Sequence, residues 1–319
     1  MTKLVTIPPN TRGHRMRILV FGGTGFVGRE LVKQLLQAGD QVVVVTRHIP
    51  RAILILGDRC EFHQWGSAQD AVPEAAMAGV DAVINLMGEG IADKRWSELQ
   101  KKRIYNSRID GTRRIVEAFQ RAGANAPKAL VSTSAVGIYG PQGDQELTEN
   151  SAPAEGFLAR LCRDWEAEAR AVEKLGARLV IIRVGMVIGR GGALKKMLPV
   201  FKLGAGGKLG SGKQWMSWIH VTDLAGMYVR AAKETNMRGV FNGTSRYPAT
   251  NAEFTKVLGK VLHRPAIAPA PAFAVKMMFG EMSTVMLDGQ KVMPQRMQEE
   301  LHFHYRYPTL EMALKETAF

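Results

Sequence analysis

Four glycines in the run Gly22-Gly23-Thr24-Gly25-Phe26-Val27-Gly28 have the types and spacing of a phosphate-binding turn. The run follows an apolar segment, Ile18-Leu19-Val20-Phe21, and opens a helix-like segment, Arg29 to Ala38, that stops at Gly39. A second apolar run, Val42-Val43-Val44-Val45, comes next. Strand, glycine turn, helix and strand form the unit that sets a dinucleotide pyrophosphate on a helix N-terminus. One glycine makes the tight turn, one lets backbone N–H groups approach phosphate oxygens, and one lets helix and strand pack closely. The contacts expected of this loop come from Gly22, Thr24, Gly25, Phe26, Val27 and Gly28.

The residues after the second strand bear on which nucleotide is held. An NAD site of this kind places a carboxylate there to accept hydrogen bonds from the adenosine ribose. This chain has Thr46-Arg47, with Arg51 nearby and no carboxylate between Val42 and Gly57. A guanidinium suits a ribose 2′-phosphate through charge-assisted bonds, so NADP(H) is favoured over NAD(H). The plainer alternative is that Arg47 is a solvated charge at a strand end.

Apolar runs recur with helical segments between them, the pattern of a parallel sheet covered on both faces. After the second strand they fall at Glu61 to Trp65, Asp81 to Leu86, Ala129 to Ser134, Arg178 to Val184 and Gly239 to Gly243. Long helices are expected from Ser97, which has a capping-box partner in Gln100, and over Leu158 to Leu175, ending at Gly176. Thr250 and Glu253 cap another. Pro265, Pro269 and Pro271 then break the periodicity ahead of a Met-rich stretch. The expected organisation is a tail over 1–15, a dinucleotide-binding domain over 16–262 and a small substrate-side subdomain over 263–319. The fold class is α/β, a Rossmann-like doubly wound parallel sheet of about seven strands.

Bulk properties narrow the setting. The 319 residues suit one large α/β domain with an appendage, and a hydrophobic content of 46% describes a globular chain. No apolar stretch approaches the ~20 residues that span a bilayer. Residues 1–15 carry three basic and no acidic groups without an apolar signal core. Met16, at the first strand, is an alternative start. The net charge of +14 raises nucleic acid as a partner. However, residues 201–319 hold 15 Lys/Arg against 9 Asp/Glu and the rest hold 28 against 20, with no aromatic-interleaved basic stripe. A solvated basic surface that attracts anionic ligands is the better account. Cys60 and Cys162 lack metal-ligand spacing, so no metal site is expected and a reducing, cytoplasmic compartment fits.

Taken together, the chain resembles the short-chain dehydrogenase/reductase superfamily in its extended, epimerase/dehydratase-like form. Beyond the glycine loop, the resemblance rests on Asn85-Leu86-Met87-Gly88, Ser132-Thr133-Ser134 with Tyr139-Gly140, Arg183 to Gly189, and Trp218-Ile219-His220-Val221-Thr222-Asp223. It is similar to the atypical group labelled "epimerase family". That likeness lies in Glu89, Arg95-Trp96, Ser107-Arg108, Gln214-Trp215-Met216-Ser217-Trp218 and a C-terminal block. The block includes Pro271-Ala272-Phe273-Ala274, Gly280-Glu281-Met282 and Gln290-Lys291-Val292-Met293-Pro294. The resemblance implies that Leu86, Gly88 and Ser132 line the cofactor and that Ser134 polarises a substrate oxygen.

The superfamily's acid/base is a tyrosine followed four residues later by a lysine that lowers its pKa. Here Leu158 and Cys162 stand in those places, and none of the six tyrosines has Lys four residues on. A replacement acid/base is therefore sought in Glu89 or Tyr139, with Arg95, Arg108 and His220 as candidates to hold an anionic substrate. Each also has a structural reading: a cap for Glu89, a local ion pair for Arg108, a satisfied core residue for His220. Cys162 reads as a packed helix residue. The segment Gly207 to Lys213 formally matches a P-loop but continues with Gln214 rather than Ser or Thr, and the five glycines between Gly204 and Gly212 read instead as a mobile flap over the cleft. Two functions follow. One is an NADP(H)-dependent oxidoreductase or epimerase acting on a small anionic molecule. The other is a non-catalytic NADP(H)-dependent binding or regulatory protein, since members of the resembled group are linked to cell or plastid division. Self-association fits either.

Overall fold

Alternation along the first strand decides the layering. In β1 (Arg17–Phe21), Ile18 and Val20 enter one apolar cluster while Leu19 and Phe21 enter another, so the strand is buried on both faces. The same holds for β2 (Gln41–Thr46), β4 (Ala82–Asn85), β5 (Ala129–Ala135) and β6 (Arg178–Val184). With β3 (Glu61–Gln64) and β7 (Gly239–Gly243) they form a seven-stranded parallel sheet in the order β7-β6-β5-β4-β1-β2-β3. The order reverses between β1 and β4, and the crevice above their carboxyl ends is the place such sheets bind ligands. The computed structural model describes residues 15–318, so the tail expected over 1–15 lies outside the described residues except for Arg15.

The helices begin and end where their chemistry allows. The first helix, α1 (Phe26–Gln37), gives way to Gly39 in the left-handed region at φ +83°. Next, α2 (Ile49–Leu56) is capped by His48, whose Nδ1 accepts from the Arg51 N–H at 3.1 Å. Ser97 caps α3 (Glu98–Ala122). The following α4 (Phe157–Arg170) tightens into a 3₁₀ turn over Ala171–Leu175 that stops at Gly176. Then come α5 (Gly192–Lys202), α6 (Val221–Lys233) and α7 (Asn251–Leu262), the last opened by the complete Thr250–Glu253 capping box. Helices α1 and α6 cover one face of the sheet, and α3 and α4 the other. Among the described residues no helix is long and apolar enough to cross a membrane.

The C-terminal stretch from 263 does not close a core of its own. It contains α8 (Ala272–Phe279), a two-residue strand at Lys291–Val292 that pairs with Glu146–Leu147, α9 (Gln295–Glu299) and α10 (Leu310–Thr317). Met282 packs with Trp96, Ile104 and Leu161. Met297, Leu301, Phe303 and Tyr305 join the central cluster with Tyr228 and Phe241, and α10 packs on α7. The stretch is a strap laid along the rim of the larger domain.

Candidate functional site

The glycine run forms a cradle at the carboxyl end of β1. Gly22 sits at φ +78°, and a Cβ there would lie 3.0 Å from the Leu86 carbonyl oxygen, so the turn is pressed against the chain leaving β4. The Gly25 N–H donates to the Gly22 carbonyl at 3.0 Å. A Cβ at Gly28 would fall on the Gly22 carbonyl oxygen and 2.7 Å from Gly23 Cα, which is the close packing of helix on turn that glycine permits. Gly25 N-caps α1 and no side chain caps that end, leaving first-turn N–H groups for an anion. Thr24 and Gly25 lie at the surface of the turn, and Val27 packs into the central cluster. The Phe26 ring lies beneath Gly189 and Gly191, where a Cβ would come within 2.6 Å of ring carbons, so the turn is locked to the start of α5.

The second wall follows β4. The Leu86 N–H donates to the Phe21 carbonyl at 3.0 Å, and Asn85, held by Thr112, accepts from the Met87 N–H at 3.1 Å. Gly88 lies against the Arg108 guanidinium. At the end of β2, Arg47 is exposed and, among the described residues, enters no ion pair or side-chain hydrogen bond. An exposed strand-end guanidinium, an uncapped helix N-terminus and a glycine turn that no side chain fits lie together at one end of the sheet, the arrangement of a dinucleotide cradle.

The structure divides the expected chemical residues into two groups. Ser134 and Tyr139 are fully buried, and their hydroxyls belong to a polar network under the rim of the sheet. Ser134 Oγ donates to Glu166 Oε1 at 2.8 Å, and Tyr139 Oη donates to Asn242 Oδ1 at 2.8 Å. Arg183 holds both oxygens of Glu166, at 2.7 and 2.9 Å, and donates to Tyr139 Oη at 2.9 Å. Burial pushes the Tyr139 phenol pKa up, which disfavours a phenolate in spite of Arg183. Ser132 lies one residue pair deeper, with its hydroxyl enclosed and unpaired. The Glu166–Arg183 pair was not anticipated from the sequence. A carboxylate mid-helix and an arginine at a strand end, 17 residues apart, carry no local signal of each other.

On α4, Leu158 packs over Gly137 and Cys162 is buried, its thiol pushed up to about 11 by loss of solvent. Neither donates a proton at neutral pH. His220 caps α6: its Nδ1 accepts from the Thr222 N–H at 3.2 Å, so Nε2 carries the hydrogen facing Glu316 Oε2 at 3.2 Å. Both ring nitrogens therefore serve the joint between α6 and α10, and the ring stacks on Tyr307. Arg95 is exposed, with its guanidinium against Gly280 of the strap. Glu89 and Arg108 remain at the mouth of the crevice. The Glu89 N–H donates to Ser107 Oγ at 3.0 Å, tying the loop after β4 to the α3 turn that carries Arg108. The glycine-rich segment 204–212, expected as a mobile flap, is laced to the strap: Gly210 N–H donates to the Ala270 carbonyl and Ala270 N–H to the Lys208 carbonyl. Backbone pairing, invisible in composition, pins it there.

Comparison with known proteins agrees with this architecture. The model of the NAD dependent epimerase/dehydratase family matches residues 18–242, and a domain of unknown function (DUF1731) matches 270–317. The chain belongs to the NAD dependent epimerase/dehydratase family, in its extended short-chain dehydrogenase/reductase form with the DUF1731 C-terminal block. It is 41% identical over 303 residues to the chloroplastic epimerase family protein SDR39U1 homolog of Arabidopsis thaliana, covering 94% of this chain and 86% of that protein. To human epimerase family protein SDR39U1 it is 38% identical over 306 residues, covering 94% and 99%. The crystal structure of human SDR39U1 (isoform 2) with NADPH superposes with a TM-score of 0.84 at 37% identity, covering 95% of this chain and 99% of that one.

Proposed function

We propose that this protein binds NADP(H) in preference to NAD(H) and acts, as an epimerase- or oxidoreductase-like protein, on a small anionic molecule held beside the cofactor. The observation that carries the reading is the cradle, a glycine turn against Leu86 with an exposed, unengaged Arg47 at the end of β2. The NADPH in the similar human structure supports the same cofactor class. The nicotinamide, when bound, supplies hydride transfer at the open end of the crevice. Gly22 to Gly28 and the uncapped start of α1 bind the pyrophosphate, and Arg47 takes the 2′-phosphate. Leu86 to Gly88 flank the nicotinamide half. Glu89, rather than a tyrosine, moves the proton. Ser134 and Tyr139 act one layer below, holding Arg183 and Glu166 so that the floor of the crevice keeps its shape. Two free, buried cysteines support a reducing, cytoplasm-like compartment.

A second reading, a non-catalytic NADP(H)-dependent regulatory protein, is favoured by one specific observation. The positions that carry acid/base groups in the superfamily hold Leu158 and a Cys162 thiol that stays protonated. Arg47→Glu separates the cofactor assignment from its alternatives. Loss of a charge-assisted contact of about 1.5–3 kcal/mol weakens NADPH roughly 10- to 150-fold and leaves NADH nearly unchanged. Equal weakening of both nucleotides sinks the 2′-phosphate assignment. A metabolite screen for oxidation of bound NADPH and for net-redox-neutral isomerisation of the added metabolite, repeated with Glu89→Gln, then separates enzyme from regulator. Turnover that survives the substitution removes Glu89 from the mechanism.

A further inference from the structure

Arg108 is a cation that the fold half-buries without an ion pair: Glu89 is the nearby carboxylate, and it makes no salt bridge or hydrogen bond to the guanidinium. The two fully buried arginines of the sheet are treated differently. Arg178 donates to the carbonyls of Ala231, Ala232 and Met237, and Arg183 is spent on Glu166, Tyr139 and the Glu149 carbonyl. Arg108 makes one hydrogen bond, from Nη1 to the Ile104 carbonyl at 3.0 Å, and among the described residues enters no ion pair. Burial lowers its pKa from the ordinary arginine value, outweighing the opposing pull of Cys162 and Glu89, as for a guanidinium only partly compensated. Its plane is nonetheless held. The position of a Gly88 Cβ falls 2.8 Å from Arg108 Cζ and 2.9 Å from Nη2, and the Trp165 ring centroid lies 5.2 Å from Cζ.

With one Nη1–H committed, Nε–H and an Nη2–H remain side by side on one edge of a rigid planar cation. That edge matches the two oxygens of a carboxylate or of a phosphate, whereas a lysine offers only a point charge, and a single guanidinium with Glu89 nearby balances a monoanionic carboxylate better than a dianion. The guanidinium is tied to the loop after β4 by its surroundings. Gly88 leaves room for it on the loop after β4, and the neighbouring Ser107 holds the Glu89 N–H. We infer that Arg108 binds a carboxylate group of the small molecule through Nε and Nη2, so that the substrate class is a carboxylic acid. This rests on the reading that the crevice takes NADP(H) and a small anion. Arg95, exposed against the strap, and His220, with both nitrogens occupied, have no part in it.

The test uses the full chain, free and loaded with NADPH, titrated calorimetrically with malonate and with inorganic phosphate. Malonate is expected to bind the wild-type protein more tightly than phosphate does. Its affinity should fall at least 10-fold in Arg108→Gln and by an intermediate factor in Arg108→Lys, with NADPH affinity within about twofold in all three. Malonate affinity unchanged in Arg108→Gln overturns the assignment, as does the absence of malonate binding to wild type. Phosphate binding more tightly than malonate overturns the carboxylate class. A folded Arg108→Gln or Arg108→Lys protein that loses NADPH instead assigns the guanidinium to the cofactor. Failure of the wild-type protein to bind NADPH is a different result. It removes the cofactor reading, and the titrations on the free protein still decide Arg108.

Discussion

Single side chains under the crevice differ sharply in what removal would do. Glu166 on α4 is buried with both oxygens on Arg183, so Arg183→Met leaves a buried carboxylate with only the Ser134 hydroxyl and Arg170, 3.9 Å away, as partners. Removing one partner of such a pair costs about 3–5 kcal/mol, and chemical denaturation should show a loss of that size. Replacing both, as in Arg183→Met with Glu166→Leu, should recover much of it. Ser134→Ala removes one hydrogen bond to Glu166 and is expected to cost about 1 kcal/mol of stability. His220 gives the pH-dependent case. Burial lowers its pKa, outweighing the pull of Glu316 and Glu30 toward the charged form, while Arg306 reinforces the shift. The unfolded chain then takes up a proton before the folded one does. Its contribution is present above about pH 6.5, the unfolded value, and is lost as pH falls toward the lower folded value. Melting curves between pH 7 and 5.5 should show wild type losing stability relative to His220→Gln. Parallel curves would remove the histidine from the acid response.

At the scale of elements, the glycine turn and α1 depend on backbone contact that no side chain tolerates. Gly28→Ala puts a methyl onto the Gly22 carbonyl, so the turn or the helix must shift. A destabilisation of about 1–3 kcal/mol is expected together with loss of nucleotide binding. The joint between α5 and the loop after β4 is of another kind. Lys196 Nζ donates to Asp93 Oδ1 at 2.7 Å and to the Ala92 carbonyl at 2.8 Å, with both side chains more than half exposed. An exposed pair of this sort is worth about 0–1 kcal/mol. Lys196→Ala should therefore leave the melting temperature almost unchanged while NADPH dissociation, followed by stopped flow, speeds up by no more than about fivefold.

For the whole molecule, the strap decides whether the dinucleotide domain stands alone. Met297, Leu301, Phe303 and Tyr305 are all buried in the central cluster. At about 1.5–3 kcal/mol per large apolar side chain, their loss is comparable to the entire stability of a typical domain. A chain ending at Leu262 is expected to lack cooperative unfolding and dispersed amide resonances. A well-folded fragment would refute this account of the C-terminal residues.

Much of this was legible from the chain alone. Continuous apolar runs, the glycine spacing, the Thr250–Glu253 box and the breaks at Gly39 and Gly176 are local signals. Each acts through backbone conformation or a hydrogen bond within a few residues. Hence the seven strands, their parallel class and the nucleotide turn could be read directly. What each polar side chain does depends on residues far away in sequence. Ser134 on β5 and Tyr139 in the turn after it look like cleft hydroxyls in sequence, yet Glu166, Arg183 and Asn242 claim them. The stretch from 263 reads as a separate unit because its composition changes, but its apolar residues find partners on the main sheet. The sequence by itself determined the sheet, the helix ends and the phosphate turn, since those follow from short-range sterics and hydrogen bonding. Only the tertiary structure decided which hydroxyls are sealed in, which histidine is a joint and which half-buried arginine is left without an ion pair, because burial and partnership are properties of packed, distant segments.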